Sequence, residues 1–468
     1  MPTSETRQQQ QQQSFQQPLQ ARPNVLVLNQ FFPPDFAATG QLVEELAKQL
    51  VHQNLDIEVF TGQPGYAFQT QSAPAREDTD GVRIWRSRIS HIWLQRIRGK
   101  ALSGLIFCLR SFLFIIQRQV VQRQIVQTQG LRFRPTYDVL LVTTAPPFLP
   151  IVAYLAHRLV GIRYVCLIYD LYPDIATRLD VIAPTHWLTQ LWHRLNRAVW
   201  SRADQIIVLS DSMQRQVMQN CPSLPSDKIS VIHSWADPDH IYPRAKQDNW
   251  FAHTHNLVQP FTVLYSGNMG RCHDMDTVLA AMQHLQVKTD DRPIQFVFIG
   301  GGAKLKILQA EVEALGLTHV TFLPYQAKQD LSYSLTACDL TLVSVSETMG
   351  DLVAPSKLYS ALAAGRPVAV VCPRHSYLNS LVAEAQCGAT FANGRGKQLA
   401  AYIQMLQGDR TLAQAQGQAG RQYLETHFTP QKIATAYAQV LHQAAHRALT
   451  GAKRSPKSHR KKSLFARF

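Results

Sequence analysis

The start of one short helix carries the residues that say most about chemistry. Residues 355–359 read Pro-Ser-Lys-Leu-Tyr, and Gly365 and the apolar run 368–371 follow them. This order predicts a turn, a short helix that begins near Ser356 and Lys357, a glycine stop and a buried strand. Backbone N–H groups at a helix N-terminus attract anions, and the lysine adds a positive charge. The segment therefore indicates a site for a ligand that carries phosphate.

A glycine loop at residues 266–271 offers a second contact for such a ligand. Its sequence is Ser-Gly-Asn-Met-Gly-Arg, so that Gly267 and Gly270 permit a tight turn around Asn268. Arg271 can bind a diphosphate through charge-assisted, often bidentate, hydrogen bonds.

Small residues and one tyrosine occupy loops after three other predicted strands. In chain order they are Thr39, Gly40, Gly301, Gly302 and Tyr325. Glycine lets the backbone approach a ligand closely, although each of these loops taken alone could also be an ordinary turn.

Two aspartates, Asp170 and Asp174, follow the apolar run 164–168. A carboxylate at the carboxyl end of a parallel strand faces the ligand crevice, where it can order hydroxyl groups or take a proton. The alternative is helix capping or a structural pair, because short acidic residues often begin helices. Asp170, the residue nearer the strand, is the stronger candidate.

Short apolar runs alternate with helical stretches along most of the 468 residues, a pattern that predicts parallel sheets covered by helices. The first series of runs is 25–28, 57–60, 82–85, 139–142, 164–168 and 206–209. The second series is 262–265, 294–299, 320–323, 340–343 and 368–371. We therefore expect an α/β protein of two doubly wound Rossmann-like domains that face each other across a cleft.

The irregular, proline-containing stretch between the two series marks a domain boundary. The predicted division is a Gln-rich disordered tail 1–22, an N-terminal acceptor domain 23–235, a linker 236–259, a C-terminal donor domain 260–425, a C-terminal helix 426–449 that could cross back to the first domain, and a basic tail 450–468.

Together these motifs resemble family 4 of the retaining glycosyltransferases, which have the GT-B fold, over roughly residues 24 to 425. The nearest branch builds capsule, O-antigen and colanic acid type polysaccharides in bacteria. The resemblance implies transfer from a nucleotide diphosphate sugar to a lipid-linked or other glycan acceptor. Arg271 and Lys357 would stabilise the departing diphosphate, and Asp170 would face the reacting sugars. Donor contacts are implied for Thr39, Gly40, Gly267, Asn268, Gly270, Gly301, Gly302, Tyr325, Ser356 and Ser360.

Two positions depart from the family pattern. Members usually have a lysine after the 266–271 loop, where this chain has His273 and Asp274, so Lys357 is the candidate for the second positive charge. The glutamate that binds ribose hydroxyls in most members is Ser360 here, and a serine lacks the charge of that clamp. Two alternatives stay open: a nucleotide-sugar epimerase of related fold, which needs no lipid, and a catalytically silent scaffold of a membrane polysaccharide complex, which the two departures favour.

The net charge of +15 suggests an anionic partner. Residues 453–467 hold seven Lys or Arg and no acidic residue, which suits an anionic membrane surface. In segment 96–123 the apolar stretch 102–116 lies between basic residues, is shorter than the ~20 residues that span a bilayer, and so predicts an interfacial helix. An ordinary buried helix is the alternative. Nucleic acid is not an expected partner, because no motif that reads it accompanies the basic tail.

Cysteine usage and the N-terminus predict a cytoplasmic protein at the inner face of the cell membrane. The seven cysteines form no Cys-x-x-Cys pair, and residues 1–20 contain no apolar signal-peptide core. No His-Glu-x-x-His motif is present, so neither a metal nor another cofactor is expected.

Overall fold

The computed structural model describes residues 22–35, 37–64, 73–87, 97–128, 135–285 and 293–451. The predicted tails 1–22 and 450–468 therefore lie almost wholly outside the described residues.

The first domain is built on a sheet of eight strands. They are β1 (Asn24–Leu28), β2 (Asp56–Thr61), β3 (Arg76–Thr79), β4 (Val82–Arg86), β5 (Val139–Thr143), β6 (Arg163–Ile168), β7 (Gln205–Val208) and β8 (Ile229–Val231). Their order across the sheet is β3-β4-β2-β1-β5-β6-β7-β8, and every neighbouring pair is parallel except β3 and β4. All five residues of β5 are buried, as expected for a central strand covered on both faces.

The second domain is built on a parallel sheet of six strands. They are β9 (Phe261–Ser266), β10 (Ile294–Ile299), β11 (Val320–Leu323), β12 (Leu340–Ser344), β13 (Val368–Val371) and β14 (Gly388–Phe391), in the order β11-β10-β9-β12-β13-β14. The predicted fold class, two doubly wound Rossmann-like domains, is confirmed.

Helices connect and cover the strands. Those of the first domain are α1 (Ala38–His52), α2 (Ile97–Thr128), α3 (Leu149–Val160), α4 (Asp174–Arg178), α5 (Trp187–Arg202) and α6 (Asp211–Asn220). The later helices are α7 (Trp250–Thr254), α8 (Asp276–Leu285), α9 (Leu305–Ala314), α10 (Leu331–Thr336), α11 (Lys357–Ala363), α12 (Tyr377–Ala385), α13 (Gly396–Gly408), α14 (Arg410–His427) and α15 (Pro430–Gly451).

The apolar runs missed three strands, β3, β8 and β14, and all three lie at sheet edges. β3 reads Arg-Glu-Asp-Thr and is largely solvent-exposed, and no residue of β14 is fully buried. An edge strand has a neighbour on one side alone and does not need a continuous apolar sequence.

The second half of the predicted linker 236–259 contacts the donor domain. Lys246 donates from Nζ to a carboxylate oxygen of Asp339 at 2.7 Å, and Asn249 caps α7 by accepting from the N–H of Phe251 at 2.9 Å. The side chain of Phe251 is buried. The second half of the linker is therefore packed on the donor domain, because its apolar residues join that core.

The apolar stretch 102–116 also belongs to a longer element than its sequence suggested. α2 has 32 residues, and the part Ala101–Gln122 is, by length and composition, long and apolar enough to cross a membrane. One third of that apolar part is buried in the protein.

The last helix, α15, returns to the first domain. It packs against α1, β5 and β6, and the ring of Tyr437 meets that of Trp235 with centroids 6.4 Å apart. It ends at Gly451, two residues beyond the predicted 426–449 segment.

The contact between α14 and α11 depends on glycine, and we expect Gly417→Ala to destabilise the protein by about 2 kcal/mol. A Cβ on Gly417 would overlap the carbonyl oxygen of Gly365, which ends α11 in the left-handed conformation (φ +63°). Gly408→Ala is the matched control, because a Cβ there meets nothing within 4 Å. Urea unfolding measures both variants, and an equally small effect of the two substitutions would contradict the packing described.

Candidate active site at the interdomain cleft

Three neighbouring strands of the second sheet end level with one another. The parallel register pairs Ile299 of β10 with Ser266 of β9 and with Leu323 of β11. The loops 267–273 and 300–302 and the segment after Leu323 therefore begin at one edge of the sheet, where open α/β sheets bind ligands.

Glycines allow two of these loops to lie against each other. The N–H of Met269 donates to the carbonyl oxygen of Gly301 at 2.6 Å. Gly302 has φ +131°, and a Cβ on it would lie 2.5 Å from Oδ1 of Asn268. Side chains larger than glycine are excluded here, so the ligand edge is formed mainly by backbone.

Lys357 lies at this edge. Its Nζ donates to the hydroxyl of Tyr265 at 2.8 Å and to the carbonyl oxygen of Asn268 at 3.2 Å. The hydroxyl of Tyr265 donates in turn to the same carbonyl oxygen at 3.1 Å. A Cβ on Gly267 would lie 3.1 Å from Cε of Lys357, so this glycine makes room for the lysine stem.

His273, which the sequence did not mark as a site residue, completes the surroundings of Lys357. Nε2 of His273 lies 3.2 Å from Nζ of Lys357. This nitrogen must accept the hydrogen bond, because an ammonium group can only donate. Burial and the neighbouring Lys357 charge lower the pKa of His273 to about 3. The imidazole is therefore a neutral acceptor at neutral pH.

Burial also acts on Lys357 itself and lowers its pKa to about 7. Its acceptors are a hydroxyl, a carbonyl and a neutral imidazole, none of which carries a negative charge. A cation in this environment gains from an anionic ligand.

The role of Arg271 in binding a diphosphate together with Lys357 stays a prediction. Its side chain is exposed, and within the described parts of the chain no hydrogen bond or ion pair joins it to Lys357, Tyr265 or His273. Lys304 also lies beside the 267–273 loop, since its Nζ donates to the carbonyl oxygen of His273 at 2.8 Å. The sequence missed Lys304 because it lies on a different loop, after the 300–302 glycines.

Asp170 lies at the end of β6 and faces the donor domain. Its backbone N–H donates to Oγ1 of Thr144 at 3.3 Å. Burial raises the pKa of its carboxyl group to about 6. Burial raises the pKa of the Cys272 thiol in the donor loop to about 11, and the nearby carboxylate of Asp170 is a smaller cause of the same increase.

Asp174 has a structural role instead. Its carboxylate accepts from Asn220 Nδ2 at 3.0 Å and from Gln216 Nε2 at 3.3 Å. These bonds join α4 to α6, which agrees with the preference for Asp170 as the candidate site residue.

Thr39, Gly40 and Tyr325 are the remaining candidates outside the α11 segment. Gly40 is buried in the first turn of α1, where a Cβ would lie 3.1 Å from the backbone of Phe31, and Thr39 precedes it. The ring of Tyr325 covers Gly301, and a Cβ there would lie 3.1 Å from it.

Two serines belong to the α11 segment. Ser356 immediately precedes α11 without capping it through its side chain. Ser360 lies within α11, partly buried. Among the described residues, no group of three His, Cys, Asp or Glu side chains could hold a metal ion.

Family models match both halves of the chain. A "Glycosyl transferase 4-like domain" covers residues 38–235, and "Glycosyl transferases group 1" covers residues 246–423. The chain belongs to family 4 of the glycosyltransferases. This assignment confirms the predicted resemblance and makes the chain a transferase.

Curated relatives of this glycosyltransferase are distant. It is 26% identical to the probable glycosyltransferase WbjE of Pseudomonas aeruginosa over 54% of this chain and 61% of that protein, so the match spans less than two thirds of the relative. It is 23% identical to the putative colanic acid biosynthesis glycosyl transferase WcaI of Escherichia coli K12, over 76% of this chain and 85% of that protein.

Solved structures share the fold of this glycosyltransferase. Sucrose-phosphate synthase from Thermosynechococcus elongatus superposes with a TM-score of 0.70 at 17% identity, over 92% of this chain and all of that one (100%). HepE of Anabaena in complex with UDP gives a TM-score of 0.62 at 15% identity, over 90% of this chain and 100% of that one.

The lowered pKa of Lys357 can be measured directly. We expect the rate of its acylation by acetic anhydride, followed by peptide mass spectrometry, to rise with pH to a half-maximum near 7, because the neutral amine is the nucleophile. The same peptide in urea-denatured protein is the control and should titrate near the ordinary lysine value of about 10.4. Coincident titrations of native and denatured protein would contradict the described environment.

Proposed function

We propose that this glycosyltransferase is a retaining enzyme that moves a sugar from a nucleoside diphosphate sugar to a lipid-linked glycan during surface polysaccharide biosynthesis. The observation that carries the proposal is the ammonium group of Lys357, held by uncharged acceptors beside backbone loops of glycine. Asp170 of the other domain lies near Cys272 of the same donor loop. This arrangement suits a ligand that is anionic at one end and rich in hydroxyl groups at the other.

The reaction breaks the bond between C1 of the donor sugar and the diphosphate oxygen, which keeps the electron pair. The acceptor hydroxyl oxygen forms the new bond to C1 on the same face, and its proton passes to the departing diphosphate oxygen. Lys357 and Lys304 stabilise the charge that develops on the diphosphate. Asp170 orders the sugar hydroxyls, and closure of the two domains excludes water.

The names of similar proteins support the pathway and the donor class. WcaI is named for colanic acid biosynthesis, and HepE was solved with UDP bound, so UDP-sugars are the first donors to test. We propose that the protein works at the cytoplasmic face of the membrane and binds anionic lipid through segment 96–123 and the tail 450–468.

A silent scaffold is the second candidate, and Ser360 favours it. A hydroxyl replaces the carboxylate that binds ribose in most relatives, and this change weakens nucleotide binding if no other group compensates.

The decisive experiment combines binding and transfer. Thermal stabilisation by UDP, GDP, ADP, CMP and their sugar conjugates identifies the donor, because a ligand that binds the native state alone raises Tm. Radiolabelled transfer to membrane lipid extracts and the anomeric configuration of the product by NMR then test the reaction. If the protein binds a donor but neither transfers the sugar to lipid extract nor hydrolyses the donor, the scaffold is favoured. Transfer with inversion of the anomeric configuration would contradict a retaining enzyme.

Lys357→Ala should lower kcat by about 100-fold or more, because it removes a charge that acts on the leaving group. The folded state should persist, since the side chain lies at a ligand edge. Lys306→Ala is the control, because Lys306 is an exposed lysine on α9. Near-normal turnover of Lys357→Ala would defeat the assigned role.

The pH dependence of kcat/KM should be bell-shaped. Activity falls as the pH drops through about 6, where Asp170 becomes protonated, and falls again as it rises through about 7, where free Lys357 loses its proton. A bound diphosphate raises the pKa of Lys357, so the alkaline limb of kcat should lie at higher pH. The acid limb should disappear from the residual activity of Asp170→Asn; an unchanged acid limb would exclude Asp170 as its source.

A further inference from the structure

The outer face of α2 carries a row of exposed leucines. This leucine row consists of Leu102, Leu105, Leu109 and Leu113, which are 43%, 54%, 60% and 43% exposed. Their spacing of three or four residues places them along one side of the helix. An exposed apolar row of this length is unusual on a soluble domain.

The opposite side of α2 is buried in the first domain. Phe107 and Ile115 are fully buried, and the ring of Phe107 lies 5.7 Å from that of Phe60 on β2. Near the other end, the hydroxyl of Thr136 donates to the carbonyl oxygen of Arg118 at 3.1 Å. The domain therefore holds α2 between Phe107 and Arg118, and this part of the helix can contact lipid with its outer face but not with its whole circumference.

Two neighbouring helices extend the apolar face. α3 packs against α2 and exposes Leu155 and Leu159, and α5 packs against α3 and exposes Trp187, Leu188 and Leu191. The described residues include nineteen large exposed hydrophobic side chains, and eleven of them lie on these three helices. The face is therefore continuous across one helix layer.

The charge of the three helices is entirely of one sign. They contain nine Lys or Arg residues (five in α2, one in α3 and three in α5) and no Asp or Glu. Arg158, Arg194 and Arg197 are exposed. Two copies of this chain would bring like charges together on such a face, whereas anionic headgroups would neutralise them.

We infer that the outer face of α2, α3 and α5 docks on an anionic lipid bilayer, with the leucine row and Trp187 in the interface and the arginines among the headgroups. This surface reaches well beyond segment 96–123. It leaves α2 flat on the membrane as part of the domain.

The docking face also continues to the candidate site. A Cβ on Gly104 of α2 would lie 3.1 Å from the side chain of Pro146, so the helix is closely packed on the loop after β5. Oγ1 of Thr144 in that loop accepts from the N–H of Asp170. The inference rests on the proposed function in one respect: a lipid-linked acceptor gives this proximity its use.

The test is flotation of the full-length protein with phosphatidylcholine vesicles, with and without phosphatidylglycerol. We expect binding to the anionic vesicles, weakened about tenfold or more by L105E/L109E, because two apolar contacts are replaced by repelled charges. I307E/M405E is the matched control and should bind normally, because Ile307 and Met405 are exposed on helices of the second domain (59% and 47%). W187E on α5 is a second variant that leaves α2 intact.

Several outcomes would overturn docking: no binding by the wild type, equal binding to neutral vesicles, or equal loss in L105E/L109E and I307E/M405E. If the wild type sediments as a dimer and L105E/L109E sediments as a monomer, the face binds a second copy of this chain instead of lipid. Donor binding is measured on the same preparations by thermal shift. If no preparation, including the wild type, binds a donor while the wild type still floats with anionic vesicles, the proposed function is contradicted and membrane docking is not.

Discussion

The candidate site depends on one constraint, the placement of an ammonium group among acceptors that carry no charge. Lys357 donates to Tyr265 and to the backbone of Asn268, and the imidazole of His273 stays neutral beside it. A partly dehydrated cation without a counter-ion is costly, and its lowered pKa is the expression of that cost. An arriving diphosphate supplies the missing charge, and the attraction grows as negative charge collects on the leaving group.

Polar contacts join the two domains near the candidate site. Nη1 of Arg178 donates to the carbonyl oxygen of Thr348 at 2.6 Å, and Nδ1 of His233 lies 3.2 Å from the hydroxyl of Tyr359. Short polar contacts of this kind can break and form again as a cleft opens for its ligands. α15 belongs to the last part of the chain yet packs on the first domain, so the domains remain tethered when the cleft changes.

Different helices cover the two faces of the first sheet, and they differ in how much apolar surface they leave exposed. On one side α1 and α15 cover the strands, and Nε2 of His442 donates to the carbonyl oxygen of Gln53 at 3.2 Å. On the other, α2 and α3 bury one face each and leave leucines exposed. The chain thus closes one side with its own final helix and leaves the other apolar and basic.

The sequence alone was enough to determine the architecture, the family and the position of the principal cation. Buried parallel strands need continuous apolar runs, and the Pro-Ser-Lys turn precedes its helix locally, so both can be recognised without long-range information. The sequence did not predict edge strands such as β3, because an edge strand needs no continuous apolar run.

Only the tertiary structure decided which side chains surround Lys357. His273 contacts it from the loop after β9, and Lys304 contacts the backbone of His273 from the loop after β10. These loops become neighbours through the register of Ser266 with Ile299. The exposed leucines of α2 likewise became a surface only when its other side was buried. Sequence specifies local conformation and apolar pattern, but contacts between distant segments, and the pKa shifts that burial causes, arise when the chain is packed.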